Sequence, residues 1–138
     1  MTMDQEAYIR YRLQRARATL DEAKTLLDAG HLHGAVNRLY YACFYAVCAL
    51  IFTEGKSSSK HSGVRAFFDE GWLKPHRVSA ELGRFYRRVF KERQRADYEG
   101  PVHFTDTEVR GWFEEARAFV AEISQLAERQ LAAGGPHA

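Results

Sequence analysis

The run from Leu39 to Phe52, LYYACFYAVCALIF, carries no charge over 14 residues and, wound as a helix, is apolar around its whole circumference. A surface helix is apolar along one stripe, so this segment needs neighbours on several sides. It reads as the central helix of a bundle. With Tyr40, Tyr41 and Tyr45 inside it, the run falls short of the roughly 20 apolar residues that span a bilayer. No membrane association is expected. A chain of 138 residues is long enough to bury a core as one domain.

The other segments supply the neighbours. Residues 4–29 predict a first helix, with Ile9, Leu13, Ala16, Leu20, Ala23 and Leu27 on one stripe and Gly30 placed to stop it. The central helix covers roughly residues 32–53, and Thr53 to Ser59 (TEGKSSS) is a loop. A short helix follows over about Lys60 to Glu70, with Val64, Phe67 and Phe68 inward, Gly71 as its stop and Pro75 in the connection. A fourth runs from about Ser79 to Tyr98, where Gly100-Pro101 breaks the chain. Thr105 and Glu108 form a capping box that opens the last helix, about 106–132. Strand alternation and internal repeats are lacking. The expected fold is all-α, an up-and-down bundle of about five helices over residues 1–133, followed by a flexible tail at 134–138.

Arg93 is the residue that does not belong. Leu82, Tyr86, Val89 and Ala96 share one face of the fourth helix, and Arg93 falls in the middle of it. A cation there needs a carboxylate, a phosphate or an opening to water. Asp97, one turn on, is within reach. Two readings stand: an Arg93–Asp97 pair that fixes bundle register, or an anion site in which Arg93 presents its planar donors to a phosphate. The opposite face carries Arg84, Arg87, Arg88, Lys91 and Arg95, either as a solvated ridge or as a surface for a polyanion. The net charge of +2 does not by itself argue for nucleic acid.

Arg38 enters the apolar central helix beside Asn37, either snorkelling from the helix end or facing a pocket to which Tyr41 and Tyr45 could offer hydroxyls or stacking faces. His61, after Lys60 and the serine loop, is either a helix-end residue or a proton-transfer group that titrates near neutrality. The six histidines form no metal signature, and no metal or other cofactor is expected. Gly55-Lys56-Ser57 echoes a phosphate loop, but Leu50 stands where the first glycine belongs. Cys43 and Cys48 point about 140° apart on their helix, which forbids a mutual disulfide. Free buried thiols and a polar N-terminus fit a cytoplasmic protein.

Asn37-Arg38-x-Tyr40-Tyr41-Ala42, Lys60-His61-Ser62-Gly63-Val64 and Arg93-x-x-Ala96-Asp97-Tyr98, in that order, resemble the HEPN domain superfamily in its stand-alone prokaryotic branch, over roughly residues 5–130. The resemblance implies a helical bundle that often forms a homodimer and is commonly paired with a minimal nucleotidyltransferase in toxin–antitoxin operons. It implies nucleotide or RNA binding through Asn37, Arg38, Lys60, Arg93 and Asp97. Many members are metal-independent endoribonucleases whose motif is an Arg followed, after four to six residues, by a His. Here those positions hold Tyr98, Glu99 and Gly100. Catalysis then requires Tyr98 in the proton-transfer role, or His61 reaching Arg93 through the fold. The alternative is a non-catalytic helical module that partners the nucleotidyltransferase.

Overall fold

The computed structural model describes residues 1–134, so the expected tail lies outside them from residue 135 on. Five helices form: α1 (Met3–Asp28), α2 (Leu32–Phe52), α3 (His61–Phe68), α4 (Ala80–Tyr98) and α5 (Asp106–Ala132). A π-helical turn, Asp69–Leu73, extends α3. The described residues contain no strand. The bundle is all-α, as the periodicity predicts.

Local chemistry sets the ends. Thr2 and Gln5 make a capping box for α1, and Gly30 takes a left-handed φ of 82° just beyond its last turn. Ser79 Oγ accepts from the Leu82 amide at the start of α4, and Thr105 and Glu108 close the capping box of α5. Each such cap contributes about 1 kcal/mol by satisfying an otherwise orphaned amide.

The third helix departs from expectation. Gly71 does not stop it: the backbone stays right-handed and helical through Leu73. The reason lies in the next residue. Trp72 is buried, and Arg77 stacks over its indole at 3.6 Å. Burying so large a side chain is worth about 2 kcal/mol or more, which exceeds the roughly 1 kcal/mol that glycine costs a helix.

α2 is the hub and packs against α1, α3, α4 and α5. It is also the helix among the described residues whose length and hydropathy would suffice to cross a membrane, yet 72% of that apolar window is buried inside the bundle. The neighbours account for its apolarity. Across the bundle runs a column of rings. Phe119 of α5 stacks on Tyr86 of α4 at 5.6 Å, and Tyr86 stacks on Tyr40 of α2 at 6.1 Å. Tyr40 then meets the His61 imidazole at 5.5 Å, and Phe44, beside Tyr40, meets it at 4.5 Å. The core thus ends on His61.

Candidate active site

Arg93 reaches the face predicted for it and is only 6% exposed. Its guanidinium lies against three phenol rings, with Cζ 5.1 Å from the Tyr40 centroid, 5.3 Å from Tyr41 and 5.7 Å from Tyr98. Such faces attract a cation but accept few hydrogen bonds from it. Nη2 donates to Tyr41 Oη at 2.9 Å and Nη1 to Gln94 Oε1 at 3.2 Å. Nε is buried without a hydrogen-bond partner, because Asp97 Oδ2 stands off at 3.6 Å. The Arg93–Asp97 ion pair exists, but it is not what fills the guanidinium fork.

Asp97 is held from elsewhere. Asn37 Nδ2 donates to Asp97 Oδ2 at 2.9 Å, which ties α2 to α4. Asn37 Oδ1 in turn accepts from Arg38 Nη2 at 2.7 Å and from Nε at 3.0 Å. Arg38 lies over the Tyr41 ring at 5.1 Å and reaches Glu22 of α1 at 3.5 Å. The network therefore runs from Glu22 through Arg38, Asn37 and Asp97 to Arg93.

His61 joins it from α3. Its Nδ1 lies 3.0 Å from Tyr40 Oη and 3.5 Å from Arg93 Nη2. Arginine has donors and no acceptor, so the nitrogen that faces it carries a lone pair and the proton sits on Nε2. Burial, and then the Arg93 charge, lower the His61 pKa from the usual 6.5, so the ring is neutral at pH 7. Burial pushes the Tyr40 phenol well above its ordinary range, so its hydroxyl stays protonated and donates to Nδ1. A glycine makes this approach possible. A Cβ on Gly63 would collide with Ser58 Oγ and lie 2.7 Å from Ser58 Cβ, so only glycine lets the serine loop close on α3.

Six of the seven residues named from sequence converge: Asn37, Arg38, His61, Arg93, Asp97 and Tyr98. Tyr98 is 74% exposed and covers the guanidinium from the solvent side. Lys60 is exposed, and its amide bonds Ser58 Oγ; no contact joins its ammonium to the cluster. Its position before α3 directs its side chain away, whereas His61 begins the helix and turns inward. Sequence reasoning missed Tyr40 as a site residue, along with Gln94 and Glu22. Tyr40 sits in the same motif as Asn37, but an aromatic residue in an apolar run carries no signal that its hydroxyl meets a histidine. Among the described residues no three His, Cys, Asp or Glu side chains group as a metal site.

The HEPN domain family matches residues 9–128. The chain belongs to the HEPN family. Among its relatives is a UPF0332 protein of Thermotoga maritima, 46% identical over 125 residues, which cover 91% of this chain and 95% of that one. Two Methanocaldococcus jannaschii proteins are also similar. "Putative toxin MJ0142" is 28% identical over 78% of this chain and 74% of its own. "Putative toxin MJ0605" is 29% identical over 84% and 86%. The HEPN match spans every helix that builds the Arg93–His61 cluster.

Proposed function

We propose that this HEPN protein is an RNA-binding, metal-independent endoribonuclease of the toxin type. The observation that carries the reading is a buried arginine with an unfilled donor, set beside the lone pair of a neutral histidine. Arg93 holds the scissile phosphate, with Arg38 at the edge of the site as a second cation. The Tyr40 hydroxyl turns from His61 Nδ1, and the freed lone pair takes the proton of the ribose 2′-hydroxyl. The 2′-oxygen then bonds to phosphorus, the bond to the 5′-oxygen breaks, and that oxygen takes a proton from the Tyr98 hydroxyl; water carries the proton that His61 gained back to Tyr98. The products are a 2′,3′-cyclic phosphate and a 5′-hydroxyl. Asn37 and Asp97 position Arg93 without touching substrate. The names of the Methanocaldococcus relatives support the toxin reading. A second copy of the chain, a minimal nucleotidyltransferase partner and a cytoplasmic setting belong to the same proposal.

Incubation of the purified protein with single-stranded RNA tests it. Cleavage with cyclic-phosphate ends, lost in Arg93→Ala, is the expected result. Intact RNA with the wild-type protein overturns the enzyme reading. Should nucleotide-dependent stabilisation survive that outcome, the non-catalytic binding reading takes its place.

A further inference from the structure

On one side of His61 lies a cavity of about 460 Å³, walled by α2, α3, the π-helical turn and α4. Its size is that of a small-molecule site. The mechanism above uses only the histidine at its rim. Tyr40 and Phe90 form aromatic walls, their ring centroids 5.4 Å apart. Two buried polar atoms among its lining residues lack hydrogen-bond partners: Asp69 Oδ1 and Tyr86 Oη. Orphaned buried groups are rare in native proteins, and two in one cavity call for an occupant.

Neighbouring groups leave both available. Arg87 Nη1 stands 4.0 Å from Asp69 Oδ1, and Arg65 Nε stands 3.9 Å from Oδ2, both beyond hydrogen-bond range. The Tyr86 hydroxyl interacts with that of Tyr40 outside strict hydrogen-bond geometry, and burial keeps it protonated. The cavity therefore offers aromatic faces, a carboxylate that only accepts and a hydroxyl that donates.

We infer that this cavity is a nucleobase subsite for guanine, with Asp69 reading the base edge. The inference rests on the phosphate reading of Arg93, because it makes the cavity the seat of a base joined to that phosphate. Guanine presents a ring N–H and an exocyclic amine side by side, which match the two oxygens of a carboxylate, and a carbonyl next to them for the Tyr86 hydroxyl. Adenine and cytosine set a ring acceptor beside the amine, and uracil flanks its single N–H with carbonyls. Each of those places a lone pair against the carboxylate. Stacking on Phe90, the ring of this wall that is only half-buried, would hold any base, so the discrimination belongs to Asp69.

Calorimetric titration of the purified protein with GMP, AMP, CMP, UMP and ribose 5-phosphate tests the subsite. GMP is expected to bind at least about tenfold tighter than the other nucleotides, the scale of one bidentate contact. Asp69→Asn should bring GMP to the level of AMP and leave ribose 5-phosphate unchanged. If that variant does not fold, Ser62→Phe, which fills the cavity from an exposed position, should remove the GMP advantage in its place. Four nucleotides bound within twofold of each other, all lost in Arg93→Ala, overturn the base subsite and leave the phosphate site standing. Guanosine binding that Asp69→Asn abolishes and Arg93→Ala spares keeps the subsite and removes the phosphate reading. Displacement of GMP by single-stranded RNA containing one guanosine in a uridine tract, and not by the tract alone, supports a guanosine within RNA; displacement by neither supports the free nucleotide.

Discussion

Arg93 Nη2 and His61 Nδ1 lie 3.5 Å apart, although 32 residues separate them in the chain. The distance places a fixed cation against a proton acceptor with no carboxylate between them. A phosphate held by the first has its ribose within reach of the second. The positions that the family spacing gives after Arg93 hold Tyr98, Glu99 and Gly100, and the histidine beside Arg93 comes from α3, ahead of the arginine in the chain.

Arg93→Ala separates the anion site from a register pair. Asp97 is a quarter exposed and keeps its bond from Asn37, so chemical unfolding should show a loss of only about 1–2 kcal/mol, from the bond to Tyr41 and the ring contacts. RNA cleavage should fall about 10²- to 10³-fold, as when one preorganised donor is removed. A loss of about 3–5 kcal/mol, the range for breaking a buried pair, would support the register reading. Arg93→Lys should not restore cleavage, because an ammonium lacks the planar fork.

The pH dependence follows from His61. Burial first, and the Arg93 charge second, disfavour its protonation in the folded chain. The unfolded chain therefore binds the extra proton more readily just below pH 6.5. The stability contribution is fully present above that value and is lost as pH falls through the folded pKa. An NMR titration of the His61 ring should give a midpoint under 6.5, and cleavage should rise with pH through the same midpoint. In Arg93→Ala the midpoint should move upward. A wild-type midpoint above 6.5 contradicts the geometry.

Gly63→Ala tests how His61 is positioned. The added methyl meets Ser58, so either the loop or the start of α3 must shift. Cleavage should drop at least about tenfold with a smaller change in melting temperature, since catalytic geometry tolerates little displacement. Ser58→Gly in the same chain should restore it. Failure of that rescue would show that the glycine serves something other than this contact.

The two thiols report on the core. Burial raises the Cys43 pKa far above the thiol range and pushes Cys48 up to about 11. A thiol reagent at pH 8 should leave both unmodified in the native protein and label both after denaturation. Rapid native labelling would mean that α2 is less enclosed than its packing shows.

Much of this was readable in the residues, for identifiable reasons. Arg93 broke a 3.6-residue stripe, and a stripe is a statement about one helix. Thr105 and Glu108 announced the start of α5 because a capping box is local. The approach of His61 was not readable, since it depends on a loop that closes over Gly63 and on rings contributed by three helices. Lys60 was assigned to the site through its motif, but its direction depends on where α3 starts. Gly71 misled because glycine signals a stop only when nothing behind it is worth burying, and Trp72 is.

The central claim is that His61 and Arg93 act as one site. Its most direct measurement is the rate of single-stranded RNA cleavage by His61→Ala beside a melting curve of the same preparation. The account predicts at least about a hundredfold loss of rate, the scale of removing a general base, with cooperative folding retained. A folded His61→Ala protein that cleaves at the wild-type rate contradicts it.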